Sequence, residues 1–199
     1  LPCLMWKNKY IENGIDISVG NLVEIQGKFS LYLVKGRMNF DVSSISLAGE
    51  GQLRMQVAKL ANKFIELGYT DKSRKKQIPV FPKKIGVITS PRGAVIHDVI
   101  RTIKRRMPIT TVVFTGANVE GDCAPRNIVK ALKYLEKADV DVILLVRGGG
   151  SFEDLMPFNN EFLAKQIVSC SIPIVTGIGH EPDTTIVDLV SDLRASTPT

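Results

Sequence analysis

The chain has 199 residues, 44% hydrophobic and 23% charged, with a net charge of +6. That is room for one sizeable domain or two small ones of ordinary globular composition, and the apolar runs are too short for a membrane-spanning helix. Three widely spaced cysteines, Cys3, Cys123 and Cys170, with no CxxC pair, exclude a disulfide scaffold and predict reduced, buried thiols in a cytoplasmic protein.

Residues 1–48 read as strands. Leu22–Phe29 alternates apolar and polar residues, and Leu31–Val34 and Met38–Ile45 follow turns containing Gly and Asn. No helical period is visible. Three or four short strands predict part of a small β-barrel whose beginning is missing, leaving an edge open to self-association. Trp6, Tyr10, Phe29, Tyr32 and Phe40 are available there either to stack bases or to fill the barrel. The first residue is leucine and no secretory signal pattern follows, so a fragment or processed form is expected.

Residues 49–78 change period. Leu53, Val57, Leu60, Ala61, Phe64 and Leu67 form one helical stripe, with Gly68 in the place of a C-cap. Asp71–Lys76 then reads as a charged linker, stopped by Pro79 and Pro82.

Residues 79–199 alternate between strand and helix patterns. Strands are expected at Ile85–Thr89, Thr110–Thr115, Val142–Val146 and Ile172–Thr176. Helices are expected at Ala94–Arg106, Arg126–Lys137, Asn160–Ser169 and Thr184–Leu193. Repeated βα units of this size predict an α/β fold with a parallel, doubly wound sheet.

Charge is unevenly spread. Residues 51–80 hold seven basic and two acidic side chains, net +5, while residues 1–50 balance and 81–199 carry +1. Lys72, Arg74, Lys75 and Lys76 end that segment, and Arg101, Lys104, Arg105 and Arg106 form a second cluster. A solvated linker explains such a run, and so does contact with a polyanion. The strand ends favour the second reading. Val142–Val146 stops at Arg147-Gly148-Gly149-Gly150-Ser151, and Ile172–Thr176 stops at Gly177-Ile178-Gly179-His180.

Ligands of open α/β sheets bind beyond the carboxyl ends of strands. Glycine amides there approach an oxyanion closely, Ser151 adds a donor, and Arg147 suits a phosphate clamp. Neither a Walker A loop nor GxGxxG is present. Asp183 can orient His180 for acid–base work, and it equally suits a helix N-cap before Thr184-Thr185. Asp98 sits early in the first helix of this region, where a solvated acid is the plainer reading. No HExxH or Cys/His array is found, so no metal ligand is assigned, although Asp98 with Asp183 can hold Mg²⁺ beside a phosphate.

Three strings carry a resemblance: VITSPRGAVIHDVIRTIKRRMP, DVILLVRGGGSFEDLMPFNNEFLAKQI and IPIVTGIGHEPDTTIVDLVSDLRASTPT. They are similar to the large subunit family of bacterial exodeoxyribonuclease VII, in register from about Gly49 to Thr199. Residues 1–48 resemble more loosely the later strands of that family's OB-fold. The resemblance places the family's C-terminal helical region after Thr199, outside this sequence.

The resemblance implies hydrolysis of single-stranded DNA from both the 5′ and 3′ ends, giving oligonucleotides and nucleoside 5′-phosphates. It implies several copies of a small subunit as partners, held through the missing region, and no strict need for a divalent metal. It assigns catalytic roles to Asp98, Arg147, His180 and Asp183. Arg92, where a small or polar residue is expected, adds a candidate phosphate contact. Two rival readings stand beside it: a domain binding a small phosphorylated metabolite or nucleotide, and a single-strand-binding module without activity.

Overall fold

The computed structural model describes residues 2–15, 17, 22–32, 36–47, 50–148, 151–179 and 184–197. They divide into two compact units, Leu1–Met55 and Gln56–Thr199.

In the smaller unit, β2 (Val23–Tyr32) and β3 (Arg37–Leu47) pair antiparallel, with a register shift at Gln26/Gly27. β1 (Cys3–Leu4) pairs parallel to β3, giving a small mixed sheet in the order β1-β3-β2. β2 runs on from the first expected strand into the second, β3 is longer than the expected Met38–Ile45, and residues 33–35 lie outside the described ones. The chain also forms a helix the sequence did not announce, α1 (Lys7–Asn13), closed by Gly14 in the left-handed conformation. None of its residues is buried. A helix with no core-facing stripe leaves no 3.6-residue period to read. Trp6 and Phe29 are largely exposed, and Phe29 meets Phe40 edge-on at 5.0 Å.

The larger unit is built on five parallel strands: β4 (Lys84–Thr89), β5 (Thr111–Gly116), β6 (Val142–Arg147), β7 (Ile174–Ile178) and β8 (Leu193–Arg194). Their order is β5-β4-β6-β7-β8. Successive strand residues face opposite sides of a sheet, and the buried residues divide accordingly. Ile85, Val87, Val142 and Val146 pack with Ile96, Val99 and Ile103 of α3 (Val95–Arg106). Ile88, Ile143 and Leu145 pack with Ile128, Leu132 and Leu135 of α4 (Ala124–Lys137) and with Leu163 and Ile167 of α5 (Glu161–Ser169).

Both faces are therefore covered, as a parallel sheet requires. α4 lies so close to β4 that a Cβ on Gly86 would stand 2.8 Å from a Leu135 methyl. The stripe of α2 (Glu50–Glu66) reaches the same core through Val57, Leu60, Ala61 and buried Phe64.

The end of the chain departs from expectation. In place of a helix over 184–193 there is a five-residue α6 (Ile186–Val190), followed by β8 pairing with Val175 and Thr176. Apolar spacing continues through Leu193, but polar groups capture the backbone first. Asp192 accepts N–H bonds from Ile174 and Lys76, both at 2.7 Å, and its carboxylate pairs with the Lys76 ammonium at 3.2 Å. Lys75 Nζ donates to the carbonyls of Leu189 (2.6 Å) and Ser191, and burial holds its pKa below the ordinary lysine value.

Removing the Asp192 carboxylate by Asp192→Ala leaves two N–H groups and a lysine without their acceptor. Denaturant titration is expected to show a loss of about 3 kcal/mol; a change within experimental error would mean the clasp is dispensable. Burial was expected of all three thiols, yet Cys3 and Cys123 are exposed and only Cys170 is buried, its pKa pushed up to about 11. A thiol reagent near pH ~8 is therefore expected to label Cys3 and Cys123 in the folded protein, and Cys170 only after denaturation.

Candidate active site

β4, β5, β6 and β7 run in the same direction, and register pairs Thr89 with Gly116 and Arg147 with Ile178. The segments leaving these four strand ends thus share one edge of the sheet. Arg147 is the last residue of β6 and is 4% exposed. Its Nη2 lies 3.5 Å from Asp154 Oδ2 and 3.6 Å from Glu120 Oε1. Its Nη1 is buried and, among the described residues, has no hydrogen-bond partner. A buried guanidinium with an unused donor is costly unless an acceptor arrives.

Asp154 was not singled out from the sequence. It opens the 3₁₀ turn Glu153–Phe158 and accepts the Ser151 N–H at 3.0 Å, while Ser151 Oγ accepts the Asp154 N–H at 3.3 Å. Burial opposes its ionisation, but these Ser151 contacts and Arg147 together hold its pKa below the usual carboxylate value. The readable signal was the spacing Ser-x-x-Asp, a reciprocal cap directly after the glycines. Ser151 is thereby fixed in place, with both its backbone and its side chain held against Asp154.

Gly148 has a second constraint besides any ligand, because a Cβ there would lie 3.3 Å from Val95 Cγ2 of α3. Val95 and Asp98 are three residues apart and share a face of that helix. This places Asp98 one turn along from the glycine segment. Asp98 is partly exposed and lies 3.7 Å from Arg101. Arg92 is exposed in the turn between β4 and α3.

Gly149, Gly150, His180 and Asp183 lie outside the described residues. On either side of residues 180–183 the chain is well anchored. Gly179 takes a left-handed φ of 69°. The cap of α6 is Thr185, not Asp183, in a capping box with Asp188. Asn159 is buried, and its Oδ1 accepts the Ile186 N–H at 2.9 Å. This ties the segment after β6 to the start of α6.

Of the basic run, Lys75 and Lys76 are engaged by the end of α6 and Asp192, as described above. Arg74 lies over the Tyr69 ring at 5.1 Å, and Lys72 is exposed. Among the described residues no group of three or more His, Cys, Asp or Glu side chains is placed to hold a metal ion. No described helix is long and apolar enough to cross a membrane.

The profile of the family described as exonuclease VII, large subunit, matches residues 69–199, which include the whole of this sheet edge. The chain belongs to that family. An exodeoxyribonuclease 7 large subunit of Legionella pneumophila (strain Paris) is 42% identical over 201 residues, covering 100% of this chain and 45% of the relative. Those of Clostridium botulinum strain Okra and strain Eklund 17B are 44% and 40% identical, covering 100% and 98% of this chain and 49% of each relative. The chain thus spans about half the length of these exonuclease VII relatives.

Asn159→Ala removes the acceptor for the Ile186 N–H at a buried helix start. A loss of about 1–3 kcal/mol is expected in equilibrium unfolding, with Asn159→Asp closer to the parent because it keeps the acceptor. Equal stability of Asn159→Ala and the parent would sink this role.

Proposed function

We propose that the protein containing this chain hydrolyses single-stranded DNA from both the 5′ and 3′ ends, to oligonucleotides and nucleoside 5′-phosphates. The observation that carries the reading is Arg147, a buried guanidinium at a strand's carboxyl end with one nitrogen unspent, in a chain of the exonuclease VII large-subunit family.

In the reaction a water oxygen bonds to phosphorus, the bond to the leaving oxygen breaks, and that oxygen takes a proton. Arg147 neutralises the non-bridging oxygens, helped by the amides of Gly148, Gly149 and Gly150 and by Ser151. His180, oriented by Asp183, supplies the proton. Asp98 either activates the water or holds the arginine. Arg92, Lys72 and Arg74 are placed on the DNA backbone. None of these roles requires a metal ion, and Mg²⁺ at Asp98 and Asp183 is an auxiliary.

The finer architecture belongs to the same reading. Residues 1–48 form part of an OB-fold that binds single strands, 49–78 a basic helix and linker, and 79–199 a doubly wound nuclease domain. Strand order β5-β4-β6-β7-β8 and two buried clusters on opposite faces support the last. The partners are several copies of the small subunit, in the cytoplasm.

The deciding experiment measures acid-soluble nucleotide release from single-stranded DNA by the full-length protein with its small subunit, with and without EDTA. Release in both conditions is expected. His180→Ala is expected to reduce it by at least about a hundredfold, with oligo(dT) affinity nearly unchanged because acid–base groups act on the transition state. Full activity in His180→Ala would overturn the mechanism.

A further inference from the structure

Beside the Arg147 site, and on the same edge of the sheet, runs a groove that this mechanism does not use. It has a volume of about 290 Å³, and Thr115, Asn118, Asn127, Lys130 and Tyr134 are among the residues that line it. The segment after β5 forms one wall and contains Glu120, 3.6 Å from Arg147. The groove and the guanidinium are thus joined by one short segment, residues 117–120.

Three observations point to what it takes. Thr115 Oγ1 is buried in the groove wall and, among the described residues, has no hydrogen-bond partner, which leaves an unsatisfied polar group beside the groove. Tyr134 is 58% exposed, a large ring left uncovered although α4 has a well-filled apolar face. Asn127, Lys130 and Tyr134 follow one another at three- and four-residue spacing, on one face of α4. Arg126, Lys130, Lys133 and Lys137 also recur at four, three and four residues and are all exposed, making a basic stripe that shares Lys130 with the groove. An aromatic ring beside a positive stripe suits a single strand, whose bases stack and whose phosphates follow the charge. From Asn127 to Tyr134 the helix rises about 10 Å, enough for a short extended stretch of chain.

We propose that the groove between the end of β5 and α4 is a binding track for single-stranded DNA, delivering the strand to Arg147. A base stacks on Tyr134, a phosphate lies at Lys130, and Thr115 Oγ1 donates to the backbone. This rests on the nuclease reading of Arg147, and it names residues that reading leaves out. The neighbouring groove, which Asp122 and Glu153 line, is a less favourable path for a polyanion. The strand is thus confined to the β5–α4 side.

The test uses the full-length protein with its small subunit, in a His180→Ala background so that the probe survives. Fluorescence anisotropy of labelled oligo(dT) is recorded across a salt series. Tyr134→Ala is expected to weaken binding about tenfold, as loss of one base stack does, with an unchanged salt slope. Lys130→Gln is expected to lower the slope by about 0.7, the contribution of one phosphate contact on a single strand. Thr115→Val removes the hydroxyl at constant shape and is expected to weaken binding a few-fold.

All three positions lie outside the buried cores, so thermal midpoints serve as the folding control. Affinity and slope equal to the parent in Tyr134→Ala and Lys130→Gln would overturn the track. So would a change in sedimentation with unchanged DNA affinity, which would make Tyr134 a protein contact. A parent complex that neither binds nor cleaves single strands would instead bring down the nuclease reading, and the track with it.

Discussion

Parallel strands cannot be joined by tight turns, because each must return to its starting edge before pairing again. In this protein that constraint organises everything else. Each return is made across a face of the sheet, so both faces are buried and the strands read as continuous apolar runs such as Val142–Val146. The outgoing segments collect at one edge, where β4, β5, β6 and β7 end in Thr89, Gly116, Arg147 and Ile178. Residues far apart in sequence become neighbours there without any device beyond the topology.

At that edge the decisive balance is electrostatic. Arg147 is nearly closed to solvent, and the two carboxylates near it stand at 3.5 and 3.6 Å on one nitrogen only. Both carboxylates are themselves half-exposed or more, so their attraction is screened while the cost of burying the cation is not. Among the described residues the site is thus under-neutralised. Asp154 fixes the direction of the guanidinium through a local cap with Ser151, and the opposite nitrogen keeps its hydrogen-bonding capacity. An arrangement that fully satisfied Arg147 would be more stable and would leave no donor unspent.

The sequence made the sheet legible because its strands are short, apolar and followed by strong stop signals. It also exposed Arg147 and the glycines, since an arginine ending an apolar run is conspicuous. Three features were harder to read. α1 buries nothing, so it has no period. At the cut between α6 and β8, the Lys75 ammonium takes the Leu189 and Ser191 carbonyls, and Asp192 is held by the N–H groups of Ile174 and Lys76. The charge of Lys75 and Lys76 resembled a polyanion contact, but their targets are carbonyls and a carboxylate more than a hundred residues away. Asn159 and Tyr134 lacked any mark of their own, and Asp154 had only its Ser-x-x-Asp spacing. Their significance comes from what the fold sets beside them.

The clasp between Lys75, Lys76 and the segment Leu189–Asp192 has a kinetic consequence. Its partners are separated by up to 116 residues, and the entropy of closing so long a loop is recovered only after the intervening chain has condensed. The βα units from β4 to β7 involve shorter closures and assemble first. β8 and the linker dock last, on a surface already formed. The clasp is therefore absent from the folding nucleus, and strengthening it slows unfolding while leaving the folding rate almost untouched.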